Sequence, residues 1–135
     1  MEGFRTTTHG TSLGRALGLG SAKHGVGHFI VERVTALALI PLTLWGVWSA
    51  ILIARGGYGE AIGWITSPVN AVLLSLTLVV GFWHMQVGMR VIIEDYLHKT
   101  LGRVTALVLN LFACVLVGAL AVFSVLKLAF THGAA

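Results

Sequence analysis

Three long apolar stretches dominate the pattern of hydrophobic and polar residues along the chain. They comprise residues 34–54, 69–89 and 104–126, and none of them contains Asp, Glu, Lys or Arg. At about 1.5 Å per residue, each stretch is long enough as a helix to cross a hydrocarbon core of roughly 30 Å. None alternates polar and apolar residues as a strand would, and backbone groups in lipid must be satisfied within the segment. The pattern therefore predicts an all-α membrane protein with three transmembrane helices.

The residues around these stretches divide the chain into two regions. Residues 1–23 are rich in Gly, Thr and Ser and lack a long apolar core, so they are predicted to form a flexible arm rather than a cleaved signal peptide. Residues 24–135 form the predicted three-helix membrane anchor domain. Pro41 lies inside the first span, where it removes one helical hydrogen bond. The sequence is compatible with a bend at this position or with a tolerated transmembrane proline.

The basic residues are unevenly distributed between the two sides of the predicted bundle. Seven lie on the side of the N-terminus: Arg5, Arg15, Lys23, Arg33, Arg90, Lys99 and Arg103. Only Arg55 and Lys127 lie on the other side. The positive-inside rule then predicts a cytoplasmic N-terminus and a periplasmic C-terminus. The residues between the first two spans, 55–68, are predicted to form a loop. The residues expected in an outer aromatic belt are Trp45, Trp48, Tyr58 and Trp64.

Composition supports a membrane protein and narrows its chemistry. Hydrophobic residues make up 56% of the chain and charged residues 10%, with a mean hydropathy of +0.89, whereas a soluble domain has roughly 25% charged residues. The net charge of +4 does not indicate nucleic acid, because the basic residues lie between apolar stretches and act as membrane-orientation signals. Cys114 is the only cysteine, which excludes a disulfide framework, a Cys-rich zinc site and an iron–sulfur cluster held by this chain alone.

Among the six histidines, His84 alone lies inside an apolar stretch. An ionisable side chain at this depth normally faces a bundle interior or a cavity and is a functional candidate; the alternative is a hydrogen bond that joins two helices. Gly81 and Gly88 lie about one helical turn on either side of His84. They would leave a flat slot for a planar macrocycle or allow close helix packing, and neither interpretation excludes the other.

Haem chemistry is compatible with this arrangement. A neutral imidazole is an ordinary axial ligand of haem iron, and a six-coordinate haem would need a second ligand from a partner subunit. The carboxylates of a haem would also need cations near the membrane edge. Arg33, with His24 and His28 just before it, is placed to supply them, although an interfacial anchor is an equally good interpretation of Arg33.

Charged and aromatic residues crowd together directly after the second span. If the helix continues, Asp95 lies about 16 Å along the axis from His84 and about 20° around it, with Tyr96 next in sequence. A carboxylate and a phenol at the interface can hydrogen-bond and protonate a quinone carbonyl. The structural alternative is an interfacial tyrosine and an acid that balances Arg90 or Lys99.

The segment FWHMQVGMRVIIEDY, residues 82–96, resembles the signature of the D-type hydrophobic anchor subunit of succinate dehydrogenase (respiratory complex II). The family pattern has a histidine, a glycine four residues later, and Asp-Tyr eleven and twelve residues after the histidine, which match His84, Gly88, Asp95 and Tyr96. Before the first span, GVGHFIVERVTAL also resembles the family, with Phe29 and Arg33 at matching positions. A histidine that the family often places before that aromatic residue has a different offset here.

The resemblance implies a subunit that shares one b-type haem and a quinone site, for ubiquinone or another quinone, with a C-type cytochrome b anchor subunit. The two anchors would hold an iron–sulfur subunit and a flavoprotein subunit on the bacterial inner membrane. His84 would be an axial ligand of the haem iron, Tyr96 would hydrogen-bond the quinone, and Asp95 would line that site. Arg33 would lie near the haem carboxylates, and the role of His28 is left open by its offset.

Three other functions compete with that of a succinate dehydrogenase anchor. A fumarate reductase anchor would look the same, because the direction of the reaction depends on cofactor potentials across the whole complex. A small multidrug or ion transporter needs a charged coupling residue at depth, and the three stretches contain none. A structural membrane scaffold would bind no chromophore.

Overall fold

The computed structural model describes residues 25–132, and they form three helices. These are α1, Gly25–Thr66; α2, Pro68–Tyr96; and α3, Thr100–His132. Each helix contains one of the predicted spans and is long and apolar enough to cross a membrane. The predicted all-α architecture is therefore confirmed. The predicted arm of residues 1–23 and His24 lie outside the described residues.

Helix α1 reverses its direction at Gly57, inside the segment that the sequence predicted to be a loop. Gly57 has φ 77° and ψ −169°, a left-handed conformation that glycine adopts without a steric penalty, and the residues on both sides are helical. The Trp45 and Trp64 rings stack with centroids 5.4 Å apart. On a straight helix these residues would be about 28 Å apart, so the segment after Gly57 folds back against the span. The loop prediction was wrong, because one glycine makes the reversal.

Proline is not the cause of that change in direction. Pro41 lies inside α1, and Gly57 is the residue of this helix with non-helical torsion angles. Pro41 is therefore accommodated with helical torsion angles.

The connections between the helices are short. Ser67 alone separates α1 from α2, with extended torsion angles, and Pro68 begins α2, where its missing N–H leaves no helical bond unmade. Asn70 Nδ2 donates a hydrogen bond to the Trp64 carbonyl oxygen at 3.1 Å, which satisfies one of the carbonyl groups at the end of α1. The link between α2 and α3 is residues 97–99.

Helix α2 lies at the centre of the fold and packs against both other helices. Few of the described side chains are fully covered; the buried ones are Ser49, Ala71, Val87, Ile93, Cys114 and Val125. Large apolar side chains are exposed along all three helices. A helix that is apolar on all sides needs an apolar environment, so these surfaces are suited to lipid or to another membrane-spanning chain.

Candidate functional site

His84 lies on α2 inside the apolar span and is half-buried. Its Nδ1 atom is 2.9 Å from Oγ1 of Thr35 on α1, so a hydrogen bond joins the two helices at this depth. The alternative to a functional role for His84, from the sequence, was a hydrogen bond that joins two helices. The bond is present, but it engages only one of the two ring nitrogens and leaves Nε2 available.

The two glycines beside His84 leave open surface rather than tight packing within residues 25–132. A Cβ atom at Gly88 would have no neighbour within 4 Å, and one at Gly81 would meet only Leu39 Cδ2 at 4.0 Å. A shallow depression of about 140 Å³ lies beside Gly81, lined by Thr77, Leu78, Phe82 and Met85. Close helix packing around a glycine occurs instead at Gly118 on α3, where a Cβ would lie 3.1 Å from Phe82 Cγ.

The residues predicted to serve haem carboxylates lie on different sides of α1. Arg33 is exposed and places its guanidinium 5.1 Å from the centroid of the Phe29 ring. It precedes Thr35 by two residues, so it lies about 200° around the helix from the side that meets His84. His28 precedes Thr35 by seven residues, which places it within about 20° of that side and roughly 10 Å nearer the start of α1. His28 is exposed as well.

Asp95 and Tyr96 lie at the end of α2, in the helical geometry expected from the sequence. The helix continues without interruption to Tyr96, so Asp95 lies about 16 Å along the axis and about 20° around it from His84. Arg90 Nε pairs with Glu94 Oε1 at 2.8 Å. In residues 25–132 this is the only ion pair, and Asp95 balances neither Arg90 nor Lys99. Tyr96 is 80% exposed.

No group of three or more His, Cys, Asp or Glu side chains in the described part of the chain could hold a metal ion. Residues 25–132 therefore offer iron at His84 no set of three such ligands. A cavity of about 600 Å³ lies between the start of α2 and the end of α3 and has an almost entirely apolar lining. The lining residue nearest to His84 along α2 is Val79, five residues earlier and about 7.5 Å along the axis, and His84 itself does not line this cavity.

Thr35 is the site residue that the sequence analysis missed. A threonine in an apolar span often bonds its own helix, so its presence alone does not indicate a partner. A hint was available, since a polar side chain near the same end of a neighbouring span is a natural partner for a histidine at depth. Which face of α1 meets α2 could not be read from the sequence, because α1 is apolar on all sides.

The comparisons with known proteins identify the family of this chain. The family model of the succinate dehydrogenase/fumarate reductase transmembrane subunit matches residues 7–126. The succinate dehydrogenase hydrophobic membrane anchor subunit of Rickettsia conorii is 32% identical over 111 residues, covering 80% of this chain and 87% of the relative. That of Paracoccus denitrificans is 33% identical over 84 residues, covering 60% and 63%. The succinate dehydrogenase membrane anchor subunit of Reclinomonas americana is 30% identical over 90 residues, covering 64% and 75%. No solved structure matches the chain significantly.

Three helices long and apolar enough to span a membrane, together with this family match, define a multi-pass membrane protein. The chain belongs to the succinate dehydrogenase/fumarate reductase transmembrane subunit family, and its similar relatives are the hydrophobic membrane anchor subunits of succinate dehydrogenase. The resemblance that residues 82–96 indicated is thereby confirmed at the level of the family.

Proposed function

We propose that this chain is an anchor subunit of a succinate:quinone oxidoreductase in a bacterial inner membrane. In this role it contributes one axial ligand to a b-type haem and part of a quinone site, and it helps to tether the flavoprotein and iron–sulfur subunits. The observation that carries the proposal is the unbroken helix α2. His84 lies inside the apolar span of this helix, and Asp95 and Tyr96 lie at its end, within a chain of the matching family.

The surroundings of His84 fit one axial ligand of a haem. Thr35 engages Nδ1, so Nε2 is the nitrogen that can bind iron. Gly81 and Gly88 leave the neighbouring surface free of side chains, which suits a flat macrocycle that a C-type cytochrome b anchor subunit covers from the other side. When bound, a b-type haem would supply one-electron transfer within the membrane.

His28 and Arg33 are the cationic candidates for the haem carboxylates. His28 lies on the side of α1 that meets His84, and it would orient or hydrogen-bond a carboxylate at the membrane edge. Arg33 lies on a different side of α1, stacked on Phe29. It would serve a carboxylate that extends around α1, or a phosphate of the lipid headgroups.

Tyr96 and Asp95 are proposed to serve the quinone, ubiquinone or a related one. The exposed phenol of Tyr96 would donate a hydrogen bond to a quinone carbonyl and pass on a proton. Asp95, which pairs with no cation in the described residues, is free to orient water or a cation of a partner subunit. The edge of the membrane suits this chemistry, since the isoprenoid tail stays in lipid while protons arrive from water.

The distribution of basic residues supports a cytoplasmic location for this end of the bundle. Cysteine labelling tests the orientation. Thr131→Cys at the end of α3 should react with an impermeant maleimide from the periplasmic side, and Thr100→Cys at its start should not. The reverse pattern would contradict the proposed topology.

The main test is His84→Leu in the complex assembled with its partner subunits. The low-spin bands of the reduced-minus-oxidised visible spectrum should disappear, because leucine cannot bind iron. His98→Leu is the matched control, since His98 is exposed and follows α2, and it should keep the wild-type spectrum. An assembled His84→Leu complex with unchanged low-spin bands would contradict the ligand assignment. A wild-type complex without a haem spectrum would favour a structural scaffold.

A further inference from the structure

Thr35 contacts His84 across the interface of α1 and α2, and it is not among the residues proposed to bind haem or quinone. We propose that Thr35 is a positioning residue for His84: its hydroxyl oxygen accepts a hydrogen bond from Nδ1–H and thereby fixes the tautomer and the ring orientation that present Nε2 to iron. This inference rests on the proposed role of His84 as an axial ligand.

The direction of the hydrogen bond follows from counting protons at Thr35 Oγ1. The oxygen lies 2.8 Å from the Val31 carbonyl oxygen, 3.1 Å from the Glu32 carbonyl oxygen and 2.9 Å from His84 Nδ1. A hydroxyl has one proton, and carbonyl oxygens can only accept. If the proton pointed to Nδ1, two carbonyl oxygens would face the lone pairs of Oγ1 at short distance. The proton therefore goes to Val31, and His84 donates from Nδ1.

This arrangement decides which tautomer of His84 is present. A neutral imidazole carries one proton, so a protonated Nδ1 leaves the lone pair on Nε2. Metal-binding histidines commonly donate their other ring N–H to an acceptor, which holds the ring and makes the ligand more basic. A hydroxyl that already donates to a carbonyl is polarised and becomes a better acceptor. The Thr35 hydroxyl is such an acceptor, because it faces Nδ1 of His84 and donates to the Val31 carbonyl oxygen.

The acceptor is also held in place before any ligand binds. Thr35 is β-branched, and its bond to the carbonyl of Val31 selects one side-chain rotamer on α1. The position of Oγ1 is consequently set by the backbone of α1 rather than by a flexible side chain. Packing of α1 against α2 then sets the plane of the His84 ring.

The chain supplies a matched control on the same helix. Thr43 Oγ1 donates to Leu39 O at 2.6 Å and lies 3.1 Å from Ile40 O, the same local pattern as at Thr35. Thr43 is exposed, and within residues 25–132 its hydroxyl bonds only to its own helix. Thr43→Val therefore removes the same bonds within α1 while leaving His84 untouched.

The experiment compares Thr35→Val, Thr35→Ser and Thr43→Val in the complete complex, with the haem midpoint potential and the low-spin electron paramagnetic resonance signal as measurements. Thr35→Val should shift the potential upward, because a ligand without its hydrogen-bond acceptor donates less electron density and stabilises oxidised iron less. It should also change the largest g value, since the ring is no longer held. Thr35→Ser and Thr43→Val should resemble the wild type.

Each outcome decides a different point. Equal potentials and signals in Thr35→Val and Thr43→Val would overturn the inference. If Thr35→Val assembles without haem, Thr35→Ser decides: wild-type haem in that variant supports the role of the hydroxyl, and the same loss contradicts it. His84→Leu in the same series separates the two proposals. If it keeps low-spin haem, the ligand assignment fails; if it loses haem while Thr35→Val has no effect, only the role of Thr35 fails.

Discussion

Helix α2 meets its two neighbours in different ways. On the side of α3 the contact is close: Phe82 packs against Gly118, and Asn110 Nδ2 donates to the Gln86 carbonyl oxygen at 3.0 Å. On the side of α1, the Thr35–His84 hydrogen bond joins the helices and the nearest side chain to a Cβ at Gly81 would be 4.0 Å away. The first interface is closely packed where Phe82 meets Gly118, although cavities also lie between α2 and α3, and the second is polar beside open glycines.

The difference between the two interfaces distinguishes residues that hold the helices together from residues that are available to bind another group. Helices in lipid associate through close packing of small residues, and the α2–α3 contact has that character. Glycines without close neighbours stabilise nothing within the chain. Gly81 and Gly88 lie on either side of His84 and have no such close neighbours, so under the proposed function they would leave room for haem. The proposed function thus places chemistry at one interface of α2, whereas the other interface holds the helices together.

The largest effect is expected from Tyr96→Phe, which tests whether the proposed binding region extends from His84 and its two glycines to the end of α2. The change keeps the ring, so assembly and the haem spectrum should persist. Quinone reduction should fall by about 10²–10⁴-fold, the range for loss of a positioned acid. Tyr58→Phe is the matched control, because Tyr58 is 82% exposed and Tyr96 80%. Equal rates of quinone reduction in the two variants would remove Tyr96 from the site.

The next effect separates the two glycines. Gly118→Leu should destabilise the bundle by about 1–3 kcal/mol, because the new side chain must displace Phe82. Gly88→Leu should leave this chain's own packing intact, since nothing within 4 Å meets the first new carbon. Its effect should instead be loss of the low-spin haem bands. Thermal denaturation of the purified complex and its visible spectrum measure the two effects. If both variants lose the same property, either stability or the haem bands, the proposed difference between the two interfaces of α2 is wrong.

The smallest effect is expected at Asn110, whose side chain donates a hydrogen bond from α3 to α2. Asn110→Leu removes the bond to Gln86 and keeps a similar volume, so the stability should fall by about 0.6 kcal/mol, the average for such bonds between membrane helices. The haem potential should not change. A shift in that potential would show that the α2–α3 interface also controls the chemical site, against the division proposed here.

Much of this organisation could be predicted from the sequence. Uncharged stretches of membrane-spanning length required helices, because lipid offers no partners for backbone groups. The depth of His84 and the helical spacing of Gly81, Gly88 and Asp95 also followed from position along the chain. These features depend on local composition and on the regular geometry of one helix, so no knowledge of its neighbours was needed.

Only the tertiary structure decided what those residues meet. The sequence could not distinguish close packing from open surface at Gly81 and Gly88, nor indicate that Gly118 is the tightly packed glycine. It did not reveal that Gly57 reverses α1 and brings Trp64 onto Trp45. It also missed the pairing of Thr35 with His84. Contacts of this kind depend on how apolar helices are rotated about their axes, and a helix that is apolar on every side carries no pattern that fixes its rotation.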